Sequence, residues 1–132
     1  MVNEIDLAAL IEGPVFDAVY SHSVNPVLLL EAGPAEDDFP MIVRVSAPFS
    51  ELTSYTQDEV IGKTPQLLHG RVTSTETSVR LRRAAHRQES ISEELQICAK
   101  DGREIWVQVV FTPIIDTSKK AVFGDLQRHQ PF

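Results

Sequence analysis

Thiols, basic residues and long apolar runs are all scarce in this chain. It has a single cysteine, Cys98, so it can form neither an internal disulfide nor a cysteine-rich metal site, and a reducing, cytoplasmic setting is the default expectation. Lysine and arginine number 12 against 19 aspartates and glutamates, a formal charge of -7. A polyanion would be repelled at long range, which argues against a nucleic-acid partner. No apolar stretch approaches the roughly 18 residues that span a bilayer, and the N-terminus lacks the basic start and apolar centre of a secretory signal, so no membrane role is expected. The 132 residues hold no repeat and no low-complexity tract, a length that suits one domain with one core.

What is present centres on residues 48–70, PFSELTSYTQDEVIGKTPQLLHG. Gly62 and Pro65 divide this stretch into short helical turns. Phe49, Leu52, Val60, Ile61, Leu67 and Leu68 are expected to point inward, while Ser50, Glu51, Gln57, Asp58 and Glu59 stay in water. The pattern predicts a helical lid over a sheet supplied by the rest of the chain.

Ahead of the lid, residues 1–24 read as an N-terminal helical segment that caps or dimerises, with Asn3 as its cap and Glu4 and Asp6 in its first turn. Strands are expected at 26–31 (PVLLLE) and 40–45 (PMIVRV), joined through a polar turn as an antiparallel hairpin. After the lid, Thr73 and Glu76 have capping-box spacing and predict a helix running to about Arg87. Strands at 91–99 and 103–115 meet at the tight turn Lys100-Asp101-Gly102, and a last strand covers 120–127. The expectation is an α+β fold: a five-stranded antiparallel sheet with the helical lid on one face and an N-terminal helix.

At residues 25–127 the chain resembles the PAS domain family. The likeness is carried by Asn25-Pro26-Val27, Ala47-Pro48-Phe49, LTSYTQDEVIGK at 52–63, KDGREIW at 100–106, Pro113, and Asp125-Leu126-Gln127 where the family has its terminal DIT. The resemblance implies residues 25–132 as a PAS domain with the same sheet and lid. Residues 37–45 and GKTPQLLHG at 62–70 are most similar to the light-sensing LOV branch, whose flavin loop reads GxNCRFLQG. Carried over by position, the photoactive cysteine falls on Pro65, so this branch's cysteinyl photochemistry is not expected. The loop's asparagine, arginine and glutamine fall on Thr64, Gln66 and His69, two strand asparagines on Ile97 and Val107, and a last-strand glutamine on Phe123. Of the phosphate-binding arginines, Arg82 is the one match. Each ring donor or acceptor left unpaired on burial costs about 1–3 kcal/mol, so the sequence reading expects no flavin and no haem.

Alternation along the longest strand separates Val107, Val109 and Phe111 from Trp106, Gln108 and Val110, and the match of Val107 to a strand asparagine of the LOV branch implies that the first set faces the lid, with Leu95, Ile97 and Phe123. With Thr64, Pro65 and Leu68 these residues form the candidate ligand pocket, either filled by its own side chains or open to a small apolar ligand. Gln96, Cys98, Trp106, Gln108 and Val110 fall on the other face. There Trp106, Gln108 and Val110, together with Leu7, Ile11 and Phe16 of the N-terminal segment, are the candidate homodimer interface. The basic run 80–87 (RLRRAAHR) reads as a solvated helix face rather than a phosphate or nucleic-acid site.

The favoured function is a PAS sensory and signalling module that acts through protein–protein contacts on an effector domain or protein, without LOV photochemistry. The alternative is a sensor with an unorthodox flavin or haem site, for which His69 and His86 are the candidate haem ligands. An enzyme with an apolar pocket is disfavoured because no acid or base falls in the inward set. The reading therefore assigns no catalytic residue and no metal site. With Phe132 five residues past Gln127 and Pro131 opposing a continued helix, the chain is expected to be either a single-domain protein or an excised sensor.

Overall fold

A computed structural model describes residues 24–114 and 120–128. The strands are β1 (Val27–Glu31), β2 (Met41–Val45), β3 (Ile91–Cys98), β4 (Glu104–Ile114) and β5 (Ala121–Arg128). Between β2 and β3 lie α1 (Ala47–Thr53), α2 (Gln57–Val60), a 3-10 turn (Pro65–Leu68) and α3 (Thr75–Arg87). The described residues thus form a five-stranded antiparallel sheet in the order β2-β1-β5-β4-β3. The last strand returns to pair with the first, which puts β1 next to the middle of the sheet.

On β3 and β4 the period-two pattern explains which face is buried. On β4, Ile105, Val107, Val109 and Phe111 are buried; on β3, Leu95 and Ile97 are buried. They join Leu28 and Leu30 of β1, Val122 and Leu126 of β5, and the lid and helix residues Phe49, Val60, Leu68, Leu81 and Ala85 in one core. A smaller cluster of Val27, Leu29, Ile114 and Ala121, with Val43 and Phe123 against it, is separate from that core. Between β4 and β5, Gly124 sits opposite Phe111. A Cβ there would come within 3.0 Å of Leu28 Cδ1 and 3.2 Å of Phe111 Cε1, so the absence of a side chain lets the sheet keep both neighbours.

Each lid element has its own start signal. Ser46 caps α1, accepting from Phe49 N–H, and a proline follows in its first turn, where a missing N–H costs nothing. Thr56 and Glu59 make a reciprocal capping box on α2. The helix α3 departs from the sequence expectation: it begins at Thr75 and is capped by Ser74, whose hydroxyl accepts from Thr77 N–H. The Thr73–Glu76 box does not form, because the Thr73 hydroxyl accepts from Gly70 N–H at 2.8 Å and donates to the Gln96 carbonyl at 2.7 Å. That hydroxyl ties the end of the lid to β3. Ile61 also departs from the inward set: it is 38% exposed because it terminates α2 in an extended conformation. The expected N-terminal helix, with Asn3, Leu7, Ile11 and Phe16, lies outside the described residues.

At the β3–β4 turn, Gly102 has φ +93, a left-handed conformation that suits glycine. From the same turn Arg103 donates to the Leu52 carbonyl and the Ser54 hydroxyl, both at 3.2 Å, and Lys100 N–H donates to the Thr53 carbonyl at 2.8 Å. These bonds fix the end of α1 over the sheet.

Candidate functional site

A half-open pocket, with an internal cavity volume of about 60 Å³, lies between the lid, α3 and the sheet. Its sheet wall consists of Leu28, Leu30, Leu95, Ile97, Val109, Phe111 and Leu126. All seven are hydrocarbon side chains, so that wall attracts an apolar ligand face and offers no side-chain hydrogen bond. The polar side chains that line the pocket, Gln66, His69, Ser78 and Arg82, all come from the lid turn and α3. Phe39 and Pro40, just ahead of β2, complete the rim.

The rim chemistry follows from what these side chains do not bond. Among the described residues, the side chains of Gln66, His69 and Ser78 form no hydrogen bond within the chain. Burial holds the His69 imidazolium below its usual pKa, which favours the neutral ring. Arg82 has its Nε buried without a partner, its guanidinium 4.6 Å over the Phe39 ring and its nearest carboxylate, Asp37, at 4.0 Å. A buried guanidinium nitrogen with no acceptor is costly. An anion at the mouth would satisfy it.

The sequence-predicted site residues divide accordingly. Pro65, Leu68, Leu95, Ile97, Val109, Phe111 and Arg82 line the pocket. Val107 is fully buried in the same core but outside the lining, and Thr64 stands at the start of the 3-10 turn, also outside it. Phe123 is a correction: it pairs with Leu29 and Thr112, one residue out of phase with the lid-facing Gly124 and Leu126, and packs on the other cluster. Its place in the wall belongs to Leu126. Sequence reasoning also missed Leu28, Leu30, Phe39, Pro40 and Ser78. For β1 the signal was a solid apolar run, which does not say which side faces the lid.

Cys98 does not line the pocket; its thiol donates weakly to the Ala99 carbonyl at 3.5 Å. Among the described residues no group of three or more metal-ligating side chains occurs. His86 lies away from the pocket lining, with Lys120 Nζ at 3.5 Å from its Nε2. On the other sheet face Trp106 and Val110 are 36% and 37% exposed, and Gln108 donates to the Ser92 hydroxyl at 2.9 Å. The basic run is mostly engaged: Arg80 is bidentate on Glu93, while Arg83 and Arg87 share Glu36 at 3.8 and 2.5 Å.

Comparison with known proteins places this geometry. The profile of the PAS domain family matches residues 29–124. A blue-light-activated histidine kinase of Erythrobacter litoralis is 28% identical over 95 residues, covering 72% of this chain and 27% of that protein. A blue-light photoreceptor of Listeria innocua is 25% identical over 116 residues, covering 87% of this chain and 46% of that protein. The chain therefore spans about a quarter to a half of the length of these relatives. A light-oxygen-voltage domain studied with a flavin analogue superposes with a TM-score of 0.75 at 21% identity, over 89% of this chain and 86% of that one. These likenesses overturn the expectation of a pocket without a cofactor. The proteins similar to this chain include two blue-light receptors and a light-oxygen-voltage domain studied with a flavin analogue.

Proposed function

We propose that this chain, which belongs to the PAS domain family and is similar to its LOV branch, is a sensory module that binds a flavin in the pocket beneath its lid. The observation that carries the reading is the division of that pocket. A hydrocarbon sheet wall can receive the faces of a flat ring, and at the mouth Arg82 has an unspent, buried Nε suited to a phosphate. A bound flavin supplies absorption of blue light and electron acceptance. The protein's part is to bind it, exclude water with Leu68, Phe39 and Pro40, and hold the tail with Arg82.

Pro65 in the lid turn and the placement of Cys98 away from the pocket leave no thiol in the lining. We propose that any light response here uses no cysteine, and that the module acts by contact rather than by catalysis, since no acid or base projects from its sheet wall. The outward Trp106 and Val110, with Gln108 between them, support an effector or a second copy docking on that face. Copurification in the dark tests the reading. A yellow protein, or uptake of FMN with quenched flavin fluorescence, is expected; a colourless protein that leaves FMN fluorescence unchanged refutes it.

A further inference from the structure

We infer that the loop between β1 and β2 is the gate of this pocket, latched shut on α3 through Glu36. The inference rests on the flavin reading and adds to it how the ligand gets in. The internal volume of about 60 Å³ is well below the roughly 300–1,000 Å³ of sites that hold small molecules. A flat, multi-ring ligand therefore enters only if one wall moves. The sheet wall cannot yield, because its side chains stand on strands paired along their lengths. The lid turn is anchored by the buried Leu68 and, just beyond it, by the Thr73 hydroxyl on the Gln96 carbonyl. The helix α3 is held by Leu81, Ala84 and Ala85, all buried.

Residues 33–39 lack such anchorage. Among the described residues, their backbone bonding is a turn of their own: Asp38 N–H donates to the Ala35 carbonyl at 3.0 Å, and the Asp38 carboxylate accepts from Ala35 N–H at 2.9 Å. Gly33 lets that turn close, since a Cβ there would come within 2.5 Å of Asp38 Cβ. Side chains fasten this self-bonded unit to α3. Glu36 takes Arg87 at 2.5 Å and Arg83 at 3.8 Å, two arginines one helical turn apart and so on one face. Asp37 reaches Arg82 only at 4.0 Å, and Phe39, which lines the pocket mouth, lies 4.6 Å beneath the same guanidinium. Glu36 is 38% exposed and its two arginines 52% and 53%, so salt weakens the latch. Lifting Glu36 off α3 carries Phe39 away from the mouth and leaves Pro40, buried ahead of β2, as the pivot.

The test follows riboflavin uptake and release by the whole protein in stopped-flow fluorescence. Riboflavin is uncharged, so salt acts on the protein's ion pairs and not on the ligand. In the unaltered protein, raising sodium chloride from about 0.05 to about 0.5 M should speed uptake and release together by about two- to fivefold. Glu36→Gln should show that acceleration already at low salt, lose most of the salt response, and keep its affinity within about twofold, because the latch closes over the free and the filled pocket alike. Equal uptake rates in Glu36→Gln and the unaltered protein at low salt overturn the inference while leaving the flavin reading intact. An affinity loss carried by release alone also overturns it, since Glu36 would then belong to a fixed wall. Binding of neither riboflavin nor FMN by the unaltered protein removes the flavin reading and the inference with it.

Discussion

Replacing Ser46 by alanine should loosen the lid at its hinge, and the cost can be worked out from three bonds. The Ser46 hydroxyl accepts from Val27 N–H at 2.9 Å and from Phe49 N–H at 3.4 Å, and donates to the Asn25 carbonyl at 3.3 Å. Both Ser46 and Val27 are almost wholly buried, so water does not readily replace the lost partner. Removing the cap from α1 costs about 1 kcal/mol. Leaving the buried Val27 N–H without this acceptor adds roughly 1–2 kcal/mol. A total of about 2–3 kcal/mol should lower the melting temperature of a domain this size by roughly 6–15 °C. Thermal and urea unfolding followed by circular dichroism measure it. The internal control is Ser74→Ala, which removes a cap from α3 at an exposed position, with one bond to Thr77 N–H at 3.2 Å, and should cost only about 1 kcal/mol. If Ser46→Ala costs no more than Ser74→Ala, the hinge argument is wrong.

Phe49→Ala should cost about 3–5 kcal/mol, because Phe49 is fully buried where α1 meets the core; a loss below about 1 kcal/mol in urea unfolding would mean the lid does not pack as described. The pH dependence of stability carries the sign of His69. Burial lowers its folded pKa from 6.5, so the unfolded chain takes up the proton first. Its contribution is fully present above about pH 6.5 and is lost as the pH falls through the lower folded value. His69→Leu should flatten that part of the profile, and an unaltered slope between pH 5 and 7 would contradict the assignment. Trp106→Glu should abolish any concentration-dependent dimer in sedimentation while leaving the melting temperature nearly unchanged, since the indole is partly exposed; a dimer that persists would place the contact elsewhere.

The lid and the strands were legible because their signals are local. Gly62, with its positive φ, and Pro65, which opens the 3-10 turn, divide the lid, Gly102 supplies the positive φ of the β3–β4 turn, and alternation separates Val107, Val109 and Phe111 from Trp106, Gln108 and Val110. Where two local signals competed, pattern alone could not choose. Thr73 and Ser74 are both good caps, and the choice falls to Ser74 because the Thr73 hydroxyl is spent on the distant Gln96 carbonyl. The wall contributed by β1 was hidden for the same kind of reason. Which of Leu28, Leu29 and Leu30 faces the lid depends on β1 pairing with β5, about ninety residues along the chain, and the same register moves Phe123 out of the wall and Leu126 in. The cofactor was misjudged by weight rather than by register. Ile97 and Val107 in place of amides counted against a flavin, while the unspent Arg82 Nε at the mouth, invisible without coordinates, counted for an anionic ligand.

The most direct test of the flavin-holding chamber is an amide and methyl NMR titration of the protein with FMN in the dark. The account predicts the largest shifts at Leu28, Leu95, Ile97, Val109 and Leu126 on the sheet wall and at His69 and Arg82 at the mouth. Shifts confined to the outer face around Trp106, or no shifts at millimolar FMN, would contradict it.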